Sequence, residues 1–273
     1  VIPPSVRSRC RLSWGVFRLP PSRPRGVERQ DLRRSCGCDP MAPCPYRATG
    51  GLSGHRRSNR VHFSLSCRRF VLRIGLVMLQ GARHSHIAAL ERASTETGID
   101  IEIHELRKSS DLDSSEPHAI VMPGGESTTM RLTGNDPVSS LLPAVFDWIR
   151  ADTERPVLGT CAGAILLAEP GDGGDPLVDA KIERNGFGTQ ADSFQSNIEA
   201  EALGRDFPGV FIRAPRFTSS GDKAQVTAKL DNEVVGVMTN NRMALSFHPE
   251  LSGDSGFHEW LLRTAEKYEA DSE

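Results

Sequence analysis

Residues 71–273 predict an α/β fold: a doubly wound, mostly parallel central sheet flanked by helices, with a smaller set of mixed or antiparallel strands in the C-terminal half. Three observations carry this expectation. Residues 71–79 form a near-continuous apolar run, as required of a strand buried on both faces of a parallel sheet. Strand-like and helix-like stretches then alternate as far as Ala168, the order that builds a doubly wound sheet. Beyond Leu177 the pattern changes to short strands separated by turn signals.

The elements follow in order. The first strand runs into Leu79-Gln80-Gly81-Ala82, and a helix over 84–97 carries Ile87, Leu90 and Ala93 at helical spacing. Ile99, Ile101 and Ile103 alternate with polar residues as a second strand. Residues 119–122 make a short third strand that ends at Pro123-Gly124-Gly125, and a helix over 141–150 has Leu142, Val145, Phe146 and Ile149 on its apolar side. Val157-Leu158 is a fourth strand, followed by a tight turn and a small-residue helix over 162–168. Asp231-Asn232 separates two of the later strands, and a last helix spans about 257–270, where Trp260, Leu261 and Leu262 can pack down. Ligands of such a sheet bind beyond the carboxyl ends of its strands.

Residues 1–70 differ in kind. They hold 15 arginines, no lysine and 3 acids (Glu28, Asp31, Asp39), a net charge of +12 that leaves 18 bases against 32 acids and −14 on the remainder. The formal total of −2 is a cancellation. Dense in Pro, Arg, Gly and Ser and without a hydrophobic period, this leader is expected to be disordered or non-native. It could be a basic tail for nucleic acid or an acidic surface, an Arg-rich transit peptide, or upstream sequence translated from a wrongly chosen start. The last is favoured, because the chain begins with Val and an ordered fold begins abruptly near Phe70-Val71. Cys36, Cys38 and Cys44 match no standard zinc spacing. Five of the six cysteines (Cys10, Cys36, Cys38, Cys44, Cys67) lie in the leader, leaving Cys161 alone in the body. A single thiol in a domain of about 200 residues argues for a reducing, cytoplasmic compartment and against a disulfide framework. No stretch approaches the ~18 apolar residues of a membrane span, and an acidic body repels nucleic acid.

Gly159-Thr160-Cys161-Ala162-Gly163 has the form of a nucleophile elbow with cysteine at its tip. Glycines on either side let a strand turn sharply into a helix, which lifts the sulfur above the sheet, near backbone N–H groups that favour a thiolate. A buried structural cysteine is the alternative at this point. Downstream, Ser246-Phe247-His248-Pro249-Glu250 places a histidine and a carboxylate two apart after an apolar run. On an extended segment, which Pro249 helps to hold, both project to the same side. Cysteine, histidine and an orienting acid compose the general triad. Pro123-Gly124-Gly125-Glu126-Ser127-Thr128-Thr129-Met130 follows the third strand; its paired glycines suit an oxyanion hole, and Ser127 or Thr128 suits a helix cap.

With these motifs in order, residues 72–270 resemble a class I (triad) glutamine amidotransferase domain, and more narrowly the glutaminase subunits of pyridoxal 5′-phosphate synthase. The narrower resemblance rests on Leu79-Gln80-Gly81-Ala82, on residues 123–131, on Glu183-Arg184-Asn185-Gly186-Phe187-Gly188 with Gln190, and on Val210-Phe211-Ile212-Arg213-Ala214-Pro215. It implies that Cys161 attacks the side-chain amide of L-glutamine, that His248 serves as base and then acid, and that Glu250 orients its ring. It implies an oxyanion hole from Gly124, Gly125 and Ala162, and glutamine contacts from Gly125, Glu126, Ser127, Arg184, Ile212 and Arg213. It also implies no cofactor, no metal, and a (β/α)₈-barrel synthase partner that receives the ammonia, with Gln80 and Gly81 near the contact surface.

Departures from the family pattern are the Gly/Asp-rich segment 169–176, Gly186 and Thr189 where serine and a basic residue are usual, and Arg216-Phe217 where a histidine and an aliphatic residue are common. Three rivals remain: the glutaminase of another pathway such as imidazole glycerol phosphate synthesis, a cysteine peptidase or chaperone-like protein on a related fold, and a nucleic-acid-binding protein driven by the leader. The strings at 124–129 and 211–215 disfavour the first, the His-Pro-Glu position the second, and the acidic body the third.

Overall fold

The computed structural model describes residues 70–184, 186 and 193–272. The leader up to residue 69, and Asn185, Phe187, Gly188, Thr189 and Gln190, lie outside the described residues.

Strands β1 (Leu72–Val77), β2 (Ile101–Leu106), β3 (Ala119–Met122), β4 (Val157–Thr160), β6 (Phe194–Ala200), β7 (Arg205–Phe211), β9 (Gln225–Leu230), β10 (Glu233–Thr239) and β11 (Arg242–Leu245) form one nine-stranded sheet in the order β2-β1-β3-β4-β11-β10-β9-β6-β7. The five strands from β2 to β11 are parallel, and the rest pair antiparallel. Strands β5 (Ala180–Glu183) and β8 (Arg216–Ser220) make a separate antiparallel pair. The mixed C-terminal half is therefore as the turn-rich sequence predicts. At the Asp231-Asn232 turn, Leu230 pairs with Glu233, and Asp231 takes a φ of 52°, a left-handed conformation that short polar side chains tolerate.

The helices are α1 (Arg83–Thr97), α2 (Ser109–Ser115), α3 (Ser127–Gly134), α4 (Leu141–Ala151), α5 (Ala162–Ala168) and α6 (Gly256–Ser272). Successive strand residues face opposite ways: Ile120 and Met122 pack with Leu142, Val145, Phe146 and Ile149 of α4, whereas Ala119 and Val121 pack with Leu90 of α1 and Leu261 of α6. Both faces are thus covered, and β3, β4 and β11 are buried throughout. On the α6 face, Phe257 stands edge-on to Phe207 and Phe247, with centroids 4.8 and 5.4 Å away. Helix α5 sits directly on β3, and Gly163 permits this: a Cβ there would lie 2.0 Å from the Met122 carbonyl oxygen.

The aromatic cluster ties the C-terminal helix to the segment after β11 that carries His248. Phe257→Ala should therefore lower stability by about 3–5 kcal/mol, read as a lower urea midpoint at unchanged m-value. A loss under about 1 kcal/mol would show that the cluster does not hold the helix.

Candidate active site

The chain reverses direction across the sheet between β1 and β3, and a cavity of about 420 Å³ opens at the carboxyl ends of these strands. Gly124, Gly125, Glu126, Ser127, Cys161, Arg184, Ile212, Arg213 and His248 all line it. Nine residues singled out from the sequence thus converge on one space. Ala162 and Glu250 lie just behind it, almost fully buried.

Cys161 stands between β4 and α5 with φ 49° and ψ −106°, the forced geometry of an elbow. Its N–H donates to the Leu245 carbonyl (2.8 Å), and its sulfur lies 3.9 Å from the Ile212 carbonyl oxygen. Ala162 begins the helix, where N–H groups have no intrahelical acceptor. Among the described residues Cys161 is the free cysteine, and it is 7% exposed.

His248 leaves β11, and its N–H donates to the Val210 carbonyl (2.8 Å). Its Nδ1 is 2.7 Å from Glu250 Oε1. The extended segment expected here is replaced by a single 3₁₀ turn, Pro249–Leu251, with proline at its start, where a missing N–H costs nothing. The turn, not strand alternation, brings the carboxylate under the ring. Burial raises the Glu250 carboxyl, but hydrogen bonding to His248 and the nearby His86 ring outweigh it, and the net shift is downward. Burial likewise disfavours a charged His248, but its interactions with Cys161 and Glu250 prevail and raise its pKa. An ionised carboxylate accepting from Nδ1 leaves Nε2 of His248 to exchange a proton with the thiol.

Gly124 packs between the two groups: a Cβ there would lie 2.5 Å from His248 Cε1 and 3.2 Å from Cys161 Cβ. Gly125 takes φ 152°, and the next N–H, of Glu126, donates to the Gln80 side-chain oxygen (2.5 Å). The cap of α3 is Glu126 rather than Ser127 or Thr128. Its carboxylate accepts from the N–H groups of Thr128 (3.0 Å) and Thr129 (2.7 Å) and from the Thr129 hydroxyl (2.7 Å), which holds its pKa at about 2, with the hydroxyl bond the largest contribution. Ser127 is buried in the first turn. Arg184 donates to the Thr128 hydroxyl (2.8 Å), and Arg213 has φ 44°.

One of the departures has structural partners. The Arg131 guanidinium donates to the carbonyls of Glu169 and Pro170, and Arg150 pairs with Asp172 (2.6 Å) and donates to the Asp175 carbonyl (3.2 Å), so the Gly/Asp-rich segment 169–176 is anchored along its length. The sequence reading passed over His86 and His258, which pack behind Glu250. A signal existed: His86 shares a helical face with Leu90 and Ala93, and His258 with Leu261, Leu262 and Ala265. Among the described residues no group of three or more His, Cys, Asp or Glu could hold a metal ion, and no helix is long and apolar enough to cross a membrane.

A crystal structure of a glutamine amidotransferase shares this architecture at a TM-score of 0.60 and 37% identity, covering 71% of this chain and 98% of that one. That likeness sets the class. The chain belongs to the SNO glutamine amidotransferase family, whose profile matches residues 76–267. It is 39% identical over 197 residues to the pyridoxal 5′-phosphate synthase subunit PdxT of Methanothermobacter thermautotrophicus, covering 71% of this chain and 96% of the relative. The protein of the same name from Thermococcus onnurineus is 38% identical over 206 residues, covering 71% of this chain and the whole of the relative.

Gly124→Ala is expected to push His248 away from Cys161 while the sheet stays intact. Alkylation of Cys161 by iodoacetamide, followed by peptide mass mapping, should slow about tenfold or more as the thiol loses its base. An unchanged rate would show that the close packing at Gly124 does not hold the pair.

Proposed function

We propose that this chain is the glutaminase subunit of a pyridoxal 5′-phosphate synthase, hydrolysing L-glutamine to L-glutamate and ammonia and passing the ammonia to a barrel-fold synthase partner. The observation that carries this reading is the Cys161–His248–Glu250 set, opening on the cavity between β1 and β3 in a chain of this family.

The reaction follows from the groups in place. His248 Nε2 takes the thiol proton, and the Cys161 sulfur attacks the side-chain carbonyl carbon of glutamine. The tetrahedral oxyanion is met by backbone N–H groups of Ala162 and the Gly124-Gly125 turn. Removing one such donor typically costs on the order of 10²–10³ in rate. His248 returns its proton to the leaving nitrogen, ammonia departs, and a glutamyl thioester remains. Water, deprotonated by the same ring, then releases glutamate and regenerates the thiol. Arg184 and Arg213 suit the α-carboxylate of the substrate, since guanidinium matches a carboxylate in geometry and charge. Gly125, Glu126, Ser127 and Ile212 frame the rest. For Glu126 the contact is through the backbone, because its carboxylate caps α3.

The working enzyme on this reading is residues 71–273, and residues 1–70 contribute no group to the reaction; the relatives are covered almost end to end by about 71% of this chain. Gln80 and Gly81, beside the oxyanion turn, are the part of the site through which a partner can act. A cytoplasmic setting keeps Cys161 reduced.

The full chain, mixed with the barrel synthase subunit of the same organism, is expected to release ammonia from glutamine, followed by coupled glutamate dehydrogenase. Cys161→Ser should abolish release while folding and partner binding persist. No release by the unaltered chain, or full activity in the serine variant, would refute the assignment. Arg184→Ala should raise KM for glutamine roughly tenfold with kcat little changed, since a lost charge-assisted bond costs about 1.5–3 kcal/mol. An unaltered KM would remove Arg184 from the substrate contacts.

A further inference from the structure

Glu250 Oε1 is shared between two histidines. It lies 2.7 Å from His248 Nδ1 and 3.4 Å from Nε2 of His86, which comes from α1 and does not line the cavity. Nδ1 of His86 is in turn 3.3 Å from Nε2 of His258 on α6, and the two rings are tilted at 56° with centroids 5.5 Å apart. The Thr160 hydroxyl is 3.5 Å from His86 Nε2. The side chains of His86 and Glu250 have no exposure, and His258 is equally buried.

One arrangement of protons satisfies these contacts. An ionised carboxylate only accepts, so the His86 proton sits on Nε2, and its bare Nδ1 accepts from Nε2–H of His258. Both rings stay neutral: burial, chiefly, lowers the His86 pKa and brings that of His258 to about 3. The titratable and charged groups facing the pair are Glu250 and His248 from the segment after β11 and Arg92 from α1 itself; β4 presents only the neutral Thr160.

We propose that His86 is a positioning residue of the glutaminase site: its Nε2–H holds Glu250 in line with His248 Nδ1, and His258 fixes the tautomer that makes His86 a donor. The proposal rests on the triad reading above. Nδ1 of His248 at 2.7 Å and Nε2 of His86 at 3.4 Å both face this one oxygen and favour the ionised carboxylate, which leaves His248 Nε2 free for the thiol. A merely packed histidine in the core would affect stability and nothing else.

Gln and Met are nearly isosteric, but only Gln offers an N–H where His86 has Nε2–H. In the full chain assayed with its synthase subunit, His86→Met should lower kcat roughly tenfold or more, with KM for glutamine within about two-fold. The acid limb of kcat/KM should move to higher pH, because the ionised form of Glu250 loses the Nε2–H that faces it at 3.4 Å. His86→Gln should restore the limb and most of kcat. A wild-type profile in the Met variant, or a Gln variant as impaired as Met, overturns the proposal. Should the Met variant fail to fold, ¹⁵N-histidine NMR of the unaltered chain decides: Nε2 protonated and Nδ1 bare across about pH 5.5–8 is expected, and an Nδ1–H tautomer or an imidazolium at His86 overturns it. Inactive unaltered protein would instead remove the glutaminase reading, whereas an active one with an unmoved Met variant removes this proposal alone.

Discussion

The backbone of Cys161 is the constraint on which the rest depends. A non-glycine residue at φ 49° and ψ −106° lies outside the broad allowed regions and costs on the order of 1–3 kcal/mol, tolerable only where its surroundings over-determine it. They do so here. Strand β4 is clamped between parallel neighbours, with Gly159 opposite Met122 and Thr160 opposite Leu245. The Cys161 N–H is held by the Leu245 carbonyl. Behind the turn, α5 is pressed onto the Met122 carbonyl through Gly163 and onto β4 through Gly159, where a Cβ would lie 2.5 Å from Leu167 Cδ1. The chain cannot relax, so the sulfur stays at the carboxyl edge of the sheet, facing the cavity.

Around that fixed sulfur the electrostatics are arranged in a nearly dry space. A carboxylate as buried as Glu250 would ordinarily take up a proton rather than bear a charge. The ring of His248 and the ring of His86 reverse that preference, and the reversal travels outward: an ionised Glu250 raises the pKa of His248, which lets this ring accept a proton from a thiol. The turn packed against them is held as well. Gly124-Gly125 is tied to the end of β1 by the Gln80 side chain and to α3 by the Glu126 carboxylate, so the two glycines sit on a pinned loop.

What could be read from the sequence follows from the range of each interaction. The elbow is local: glycines two positions from a cysteine, after an apolar run, specify strand, turn and helix within about ten residues, and all three stand where expected. The His-Pro-Glu pair was legible as a pair, although a 3₁₀ turn rather than an extended strand joins it, because proline can open a turn as readily as it stiffens a strand. Helix α2 was not legible, and of α3 only the start was, with its cap placed on Ser127 or Thr128. Their sequences, Ser-Ser-Asp-Leu-Asp-Ser-Ser and Ser-Thr-Thr-Met-Arg-Leu-Thr-Gly, hold too few apolar residues for a period to show, and the cap of α3 is the carboxylate of Glu126. His86 and His258 stand 172 positions apart, and no spacing rule reaches that far; only the packing of α1 on α6 brings them together.

Two of the departures from the family pattern, Gly186 and Arg216, sit against each other near Arg184. Gly186 faces Arg216 so closely that a Cβ at 186 would lie 2.2 Å from the Arg216 Cβ. That contact leaves no room for a side chain at 186 beside the Cβ of residue 216, and Arg216 is further secured by its ion pair with Glu233 of β10. Arg216 begins β8 of the small sheet and Gly186 follows its β5 strand, two residues beyond Arg184, whereas Cys161, His248 and the Gly124-Gly125 turn are set by the parallel strands of the large one. Arg184 thus rests on a different framework from Cys161 and His248. A substitution in the small sheet can shift Arg184 while the elbow, clamped by β3 and β11, stays in place.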